Sequence, residues 1–168
     1  MGRGSRSLAA AAALWLAAGG AAAADGVEVE GEPRLWHRVT LTFAGPRAAE
    51  AAAPNPFRDY RLDVVFTHAQ SGETRTVPGY FAADGRAGET SAVSGDRWRA
   101  HFSPSREGAW RWSVRFRAGR DVALSLDPGA GRAWRPLDGR SGEVRVGPTD
   151  KRRPDLRARG TLVTLSRG

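Results

Sequence analysis

The stretch Gly108-Ala-Trp-Arg-Trp-Ser-Val-Arg-Phe-Arg117 decides the fold class of this chain. Its large apolar residues occupy every second position, and arginine or serine stands between them. Side chains of a β-strand alternate between two faces, so the stretch predicts a strand with one buried apolar face and one basic face in water. Trp110 and Trp112 are therefore expected in the core.

The same alternation recurs along the chain and predicts several further strands. One covers residues 35–43, with His37 on its apolar face, and another covers Tyr60–His68, with His68 likewise placed. The other predicted strands cover residues 74–81, 97–102, 122–126 and 142–146. Hairpin turns are expected at residues 70–73 and 103–108, and long loops at 45–59 and 82–96. With no sustained helical periodicity after the N-terminal region, this pattern is typical of an all-β sandwich or barrel.

Residues 1–24 have the composition of a secretory signal peptide. Arg3 and Arg6 precede an apolar run, and Ala22-Ala-Ala24 before Asp25 offers a cleavage site. The apolar run is shorter than the roughly 20 residues that span a bilayer. We therefore expect a secreted or periplasmic protein of Sec-type export, with no membrane attachment after cleavage.

The charge and cysteine content restrict the partners. The chain has no cysteine, so it has neither disulfides nor a cysteine-based metal site. Its net charge of +8 could attract a polyanion, and binding to an anionic polysaccharide is one hypothesis. Almost every basic residue is arginine, which indicates codon composition as much as function, and export argues against nucleic acid as a partner.

The sequence divides into three parts. The signal peptide is followed by a β domain at residues 25–147. Residues 148–168 read as a linker and the truncated start of a following domain, because a proline-bounded charged stretch precedes a strand-like run at 161–165.

Five ordered motifs resemble one known domain type. They are Trp36-x2-Val-x-Leu-x-Phe-x-Gly-Pro46, Asn55-Pro-Phe-x-Asp-Tyr60, Val77-Pro-Gly-Tyr-Phe-x2-Asp-Gly85, Trp98-Arg-x-His-Phe-x-Pro104 and Gly108-x-Trp-x-Trp112. The set resembles the N-terminal immunoglobulin-like domain of unknown function that precedes the catalytic (β/α)8 barrel of bacterial glycoside hydrolases, the apiosidase-like enzymes among them. The resemblance covers about residues 34–146.

This resemblance implies an immunoglobulin-like antiparallel β-sandwich without catalytic activity of its own. In that family the catalytic carboxylates lie in the following barrel, so no catalytic residue is assigned here. The implied role is that of an accessory domain, and the implied partner is a glycoside hydrolase catalytic domain in the same polypeptide. No cofactor is expected.

The polar residues alone give no catalytic or metal site. A glycosidase needs two carboxyl groups at a defined separation, and nothing in the spacing pairs any two of the candidates. Those candidates are Asp59, Asp63, Asp84, Glu89 and Asp96. The histidines lack metal-ligand spacing, so His37 and His68 are expected to be buried and structural, and no metal is predicted.

Four aromatic residues are candidates for a ligand-binding or domain-interface surface: Trp36, Tyr80, Phe81 and Trp134. Exposed aromatic rings often mark interaction surfaces. They support the alternative function of a stand-alone carbohydrate-binding module, in which rings stack on the apolar faces of sugars and polysaccharide is the partner. Trp98, like Trp110 and Trp112, is expected in the core instead.

Overall fold

The structure, a computed structural model, describes residues 26–160 and shows two antiparallel β-sheets packed face to face. Sheet I contains, in spatial order, β1 (Val27–Glu30), β2 (Val39–Ala49), β6 (Ser94–Phe102) and β5 (Tyr80–Phe81). Sheet II contains β4 (Thr74–Pro78), β3 (Tyr60–His68), β7 (Gly108–Ala118) and β8 (Arg132–Ala133), with β9 (Ser141–Val146) also paired to β7. The predicted immunoglobulin-like sandwich is confirmed. The expected signal peptide, residues 1–24, and the expected strand at 161–165 lie outside the described residues.

The core lies between the two sheets and is built from the alternating apolar residues. Trp98, Trp110 and Trp112 are almost fully buried, as predicted. Rings from opposite sheets meet edge to face: Trp98 of β6 lies 4.9 Å from Phe116 of β7 between ring centroids. Such aromatic pairs add to the free energy gained by burial alone, so the core joins the sheets without disulfides.

Helical structure is short throughout the described part of the chain. It comprises α1 (Ala87–Thr90) and two 3₁₀ turns at Val122–Leu124 and Leu156–Ala158. No helix within residues 26–160 is long and apolar enough to cross a membrane.

The predicted hairpin at residues 103–108 is wrong. β6 belongs to sheet I and β7 to sheet II, so residues 103–107 carry the chain from one sheet to the other. The reason is visible at Phe102, whose ring stacks on Phe66 of the opposite sheet at 3.9 Å. β6 and β7 therefore face each other through the core instead of sharing a ladder. The hairpin at residues 70–73 is confirmed, since β3 and β4 pair antiparallel.

The predicted strand at residues 74–81 is two strands in different sheets. β4 pairs with β3 in sheet II, and β5 pairs with β6 in sheet I. The chain changes sheet at Gly79, whose amide donates to the carbonyl of Leu62 at 2.8 Å.

Three further boundaries differ from the prediction. β2 begins at Val39, four residues after the predicted start, and it continues through a bulge between Ala44 and Ala48 into the predicted loop. The predicted loop at residues 82–96 contains α1 and the first residues of β6.

The predicted strand at residues 122–126 is also wrong. Leu124 and Leu126 are 69% and 101% exposed, so this run does not bury an alternating face. Its carbonyl groups, together with those of Asp127 and Pro128, instead accept hydrogen bonds from the Arg61 guanidinium. The Arg61 side chain thus satisfies backbone carbonyl groups that a neighbouring strand would satisfy in a sheet.

Candidate functional site

Several candidate residues lie at two opposite ends of the sandwich, whereas Tyr80 and Phe81 lie on the edge strand β5. At the linker end, residues 31–38 lie against 103–107 and 147–160. At the loop end, residues 50–59 lie against 82–93 and 119–131. β3 and β7 run between the two ends, because Tyr60 pairs with Ala118 at the loop end and His68 pairs with Trp110 near the linker end.

Trp36 lies at the linker end and contacts the chain that follows β9. Its backbone has a left-handed conformation, φ 64°, which is costly for a residue other than glycine. Its amide donates to the carbonyl of Pro104 at 3.0 Å. The indole is half-buried and packs so closely on Gly160 that a Cβ atom there would overlap the ring. Trp36 thus combines a strained backbone with a ring that packs on the segment following β9.

His37 joins the sandwich to the same following segment. The residue is 4% exposed, in agreement with the prediction that it is buried. Its Nδ1 lies 3.3 Å from a carboxylate oxygen of Glu32, and its Nε2 lies 3.3 Å from one of Asp150. The sequence shows no such cluster, because Asp150 is far away along the chain.

These three side chains are a possible ligand set for a cation, since their ligand atoms lie within 4.8 Å of one another. Each ring nitrogen, however, already faces its own carboxylate. Nε2 also lies 3.5 Å from the hydroxyl of Thr149, so protein groups already lie beside both ring nitrogens. We therefore interpret the cluster as a polar link between Glu32 and Asp150 through His37.

Tyr80 is held on the outer face of sheet I with its ring 42% exposed. Its hydroxyl lies 2.9 Å from Nε2 of His101, and Nδ1 of His101 lies 2.8 Å from the hydroxyl of Thr40. Burial, followed by the charges of Arg38 and Arg99, lowers the pKa of His101. The ring is therefore neutral at pH 7, with one nitrogen donating and one accepting.

Phe81 belongs to the core, which corrects its expected place on the surface. Its side chain is 6% exposed and lies 5.2 Å from Trp98 between ring centroids. It is the inward-facing residue of β5, next to outward-facing Tyr80. Phe57, which sequence reasoning missed, takes the surface position: it packs on Phe81 at 6.2 Å and is 54% exposed.

Trp134 lies at the loop end beside a groove of about 420 Å³. The indole is half-buried and packs on Phe116 at 5.6 Å between ring centroids. Tyr60, Arg120 and Arg132 also line the groove. Trp134 is thus partly a core residue and partly the wall of a cleft.

Asp59 organises the loop end. Its carboxylate accepts hydrogen bonds from the amides of Asp121 and Asn55 at 3.0 and 2.8 Å, and from Nε of Arg58 at 3.2 Å. These donors, the Asp121 amide foremost, hold the pKa of Asp59 at about 2. The carboxylate therefore fixes two loops, and its low pKa makes it a weak base.

This binding makes the loop end sensitive to acid. Because the pKa is lowered from 3.8 to about 2, the stability that Asp59 contributes is present above pH 3.8 and is lost as the pH falls to about 2. Asp59→Asn is expected to lower the melting temperature at neutral pH and to flatten its fall over that acid range, as measured by scanning calorimetry. Glu89→Gln, an exposed change on α1, is the control and should keep the wild-type pH dependence. If the melting temperature of Asp59→Asn fell between pH 3.8 and about 2 as steeply as that of the wild type, this account would be contradicted.

Two of the other candidate carboxylates, Asp63 and Asp84, also have structural contacts. Asp63 lies 3.5 Å from Arg61, and Asp84 accepts the amide of Arg86 at 2.8 Å. Asp63 thus pairs with an arginine, and Asp84 stabilises a turn.

The two sheets, the chain crossings between them and the aromatic core together define an immunoglobulin-like β-sandwich domain. A family model described as a domain of unknown function, DUF5060, matches residues 32–117, and the chain belongs to this family. A crystal structure of a "putative glycoside hydrolase" from Bacteroides vulgatus ATCC 8482 is similar at 24% identity with a TM-score of 0.45. That similarity covers 73% of this chain, which spans 17% of the length of the other protein. No curated protein matches the chain.

Proposed function

We propose that this chain is the non-catalytic accessory domain of a secreted carbohydrate-active enzyme, a glycoside hydrolase whose catalytic barrel follows in the same polypeptide. Its role is to pack on the barrel and hold it in a fixed position. The family resemblance of the five motifs supports the choice of partner. The observation that carries the proposal is the way in which the linker end holds the chain that leaves β9.

The backbone makes the first attachment. Leu35 donates its amide to the carbonyl of Gly147 at 2.9 Å, and Gly147 donates its amide to the carbonyl of Pro33 at 2.9 Å. Residues before β2 and after β9 thus pair as a short parallel bridge. The chain leaves the sandwich from a rigid point.

Side chains extend this attachment over the next dozen residues. His37 reaches Asp150, Thr149 donates its hydroxyl to the carbonyl of Arg157 at 3.1 Å, and Trp36 covers Gly160. A flexible polar linker would leave a following domain free to move. A segment packed in this way would instead transmit the orientation of the sandwich to whatever domain follows it.

Gly160→Ala is expected to release residues 148–160 from the sandwich without unfolding it. The added Cβ would overlap the Trp36 ring, and the φ of +70° disfavours alanine as well. Limited trypsin digestion should cut after Arg152 or Arg157 several times faster than in the wild type, while the melting temperature stays within a few degrees.

Trp36→Asn removes the ring but suits the left-handed backbone, and it should give the same faster cleavage. Tyr80→Ala, an exposed aromatic change away from the linker end, is the matched control and should leave cleavage unchanged. Equal cleavage rates in the wild type and both linker-end variants would contradict the packing described here.

The function itself is tested in two steps. The purified chain is assayed on aryl glycosides and plant polysaccharides, where we expect no hydrolysis, and measurable turnover would overturn the proposal. The source gene is then read through and beyond codon 168. A reading frame that enters a barrel with paired carboxylates supports the proposal, and a stop codon directly after Gly168 opposes it.

A further inference from the structure

We propose that the groove beside Trp134 is a binding site for an acidic sugar, that is, a saccharide whose ring carries a carboxylate. This inference is independent of the accessory role. The groove lies at the loop end, whereas the chain leaves the sandwich at the linker end, and the two are separated by the length of β3 and β7.

The size and lining of the groove suit a sugar. Its volume of about 420 Å³ lies within the range of small-molecule sites, roughly 300–1,000 Å³. Carbon atoms make up most of the wall, including the aromatic side chains of Tyr60 and Trp134. Aromatic rings with a polar group suit ligands that have both an apolar face and a hydroxylated edge.

The charges at the mouth favour a carboxylate over a neutral sugar. Within residues 26–160, Arg132 has no acidic side chain at ion-pair distance, although it is exposed and lines the groove. Arg120 pairs with Asp121 at 3.4 Å, but its side chain is 90% exposed and such surface pairs are weak. A guanidinium can bind a carboxylate through two parallel hydrogen bonds, which gives both strength and orientation.

The acidic residue in the lining, Asp59, keeps its negative charge, but that charge is partly balanced by the adjacent guanidinium of Arg58. Both carboxylate oxygens of Asp59 are already bound, to the amides of Asn55 and Asp121 and to Arg58. Burial and the charge of Asp59 raise the pKa of Tyr60, so its phenol keeps the proton at neutral pH and remains a donor. The groove thus combines aromatic walls with cationic and neutral donors.

The test is isothermal titration of the full chain with trigalacturonate and with its methyl ester, which has the same sugar rings but no carboxylate charge. We expect the acid to bind about tenfold more tightly than the ester, a typical effect of one charge-assisted contact. Arg132→Gln should weaken binding of the acid about tenfold. Arg115→Gln removes the same charge from the exposed outer face of sheet II and should change affinity by less than about twofold.

A second readout locates the ligand. The indole N–H resonance of Trp134, assigned by its absence in Trp134→Phe, should shift on addition of trigalacturonate. Any of four results would overturn the proposal: no binding of the acid, equal affinity for acid and ester, equal losses in both arginine variants, or a short oligonucleotide binding as tightly as the acid. None of these four results affects trypsin cleavage of residues 148–160 or the reading frame beyond codon 168. The accessory role is therefore tested separately.

Discussion

Replacement of Trp98 by alanine is expected to remove a large part of the free energy of unfolding and to lower the urea midpoint more than any other change proposed for this chain. Trp98 is 1% exposed and contacts aromatic rings of both sheets, Phe81 at 5.2 Å and Phe116 at 4.9 Å between centroids. Truncating a buried tryptophan to alanine costs about 3–5 kcal/mol. Small domains are stable by only about 5–15 kcal/mol, and this one has no disulfide to add to its core.

The loss is measured by urea unfolding followed by circular dichroism. Trp98→Phe keeps an aromatic ring but removes the hydrogen bond from Nε1 to the carbonyl of Pro46, 3.2 Å long, so its unfolding free energy should lie between those of the wild type and Trp98→Ala. Leu126→Ala, at a fully exposed leucine, is the control and should stay within about 0.5 kcal/mol of the wild type. A wild-type midpoint in Trp98→Ala would show that this indole is not part of the core.

The face of each residue in the long strands could be predicted from the sequence. In β7 the residues from Trp110 to Phe116 are alternately buried and exposed. In β3 the apolar series from Leu62 to His68 is buried in the same way. This works because the period of two is a local property of extended backbone and needs no knowledge of the partner strand.

The neighbours of each strand could not be predicted in this way. β6 and β7 have the same alternation whether they pair edge to edge or face each other across the core. The sequence pattern alone predicts a hairpin turn between Phe102 and Gly108, whereas the structure has a crossing between the sheets. The choice depends on where Phe102 packs, and its partner Phe66 is distant in sequence.

The candidate sites likewise have features that the local sequence predicts and features that depend on contacts between residues distant in sequence. Of the four aromatic residues that are candidates for a ligand or interface surface, Trp36, Tyr80 and Trp134 are partly exposed, whereas Phe81 is buried. The roles of Asp59 and Arg61 were missed, because each acts through backbone groups of a loop about sixty residues away. The sequence around a charged residue at the end of a strand does not show which distant loop its side chain contacts.

Gly79→Ala is expected to be the second most damaging of these changes, at about 1–3 kcal/mol. Gly79 carries the chain from β4 in sheet II to β5 in sheet I. A Cβ atom there would overlap the side chain of Leu62, which is 2% exposed, and would lie 2.9 Å from the carbonyl oxygen of Arg99. The φ of Gly79 is not left-handed, so the cost is one of space and not of backbone conformation.

The matched control is Gly147→Ala, since a Cβ on Gly147 meets nothing within 4 Å and its φ is also not left-handed. Its urea midpoint should equal that of the wild type, whereas that of Gly79→Ala should be clearly lower. Because β5 has only two residues, displacement at Gly79 should also speed hydrogen exchange along the β5–β6 pair more than along β3. Equal midpoints in the two glycine variants would mean that the crossing tolerates a side chain, and the change of sheet would then not depend on glycine at this position.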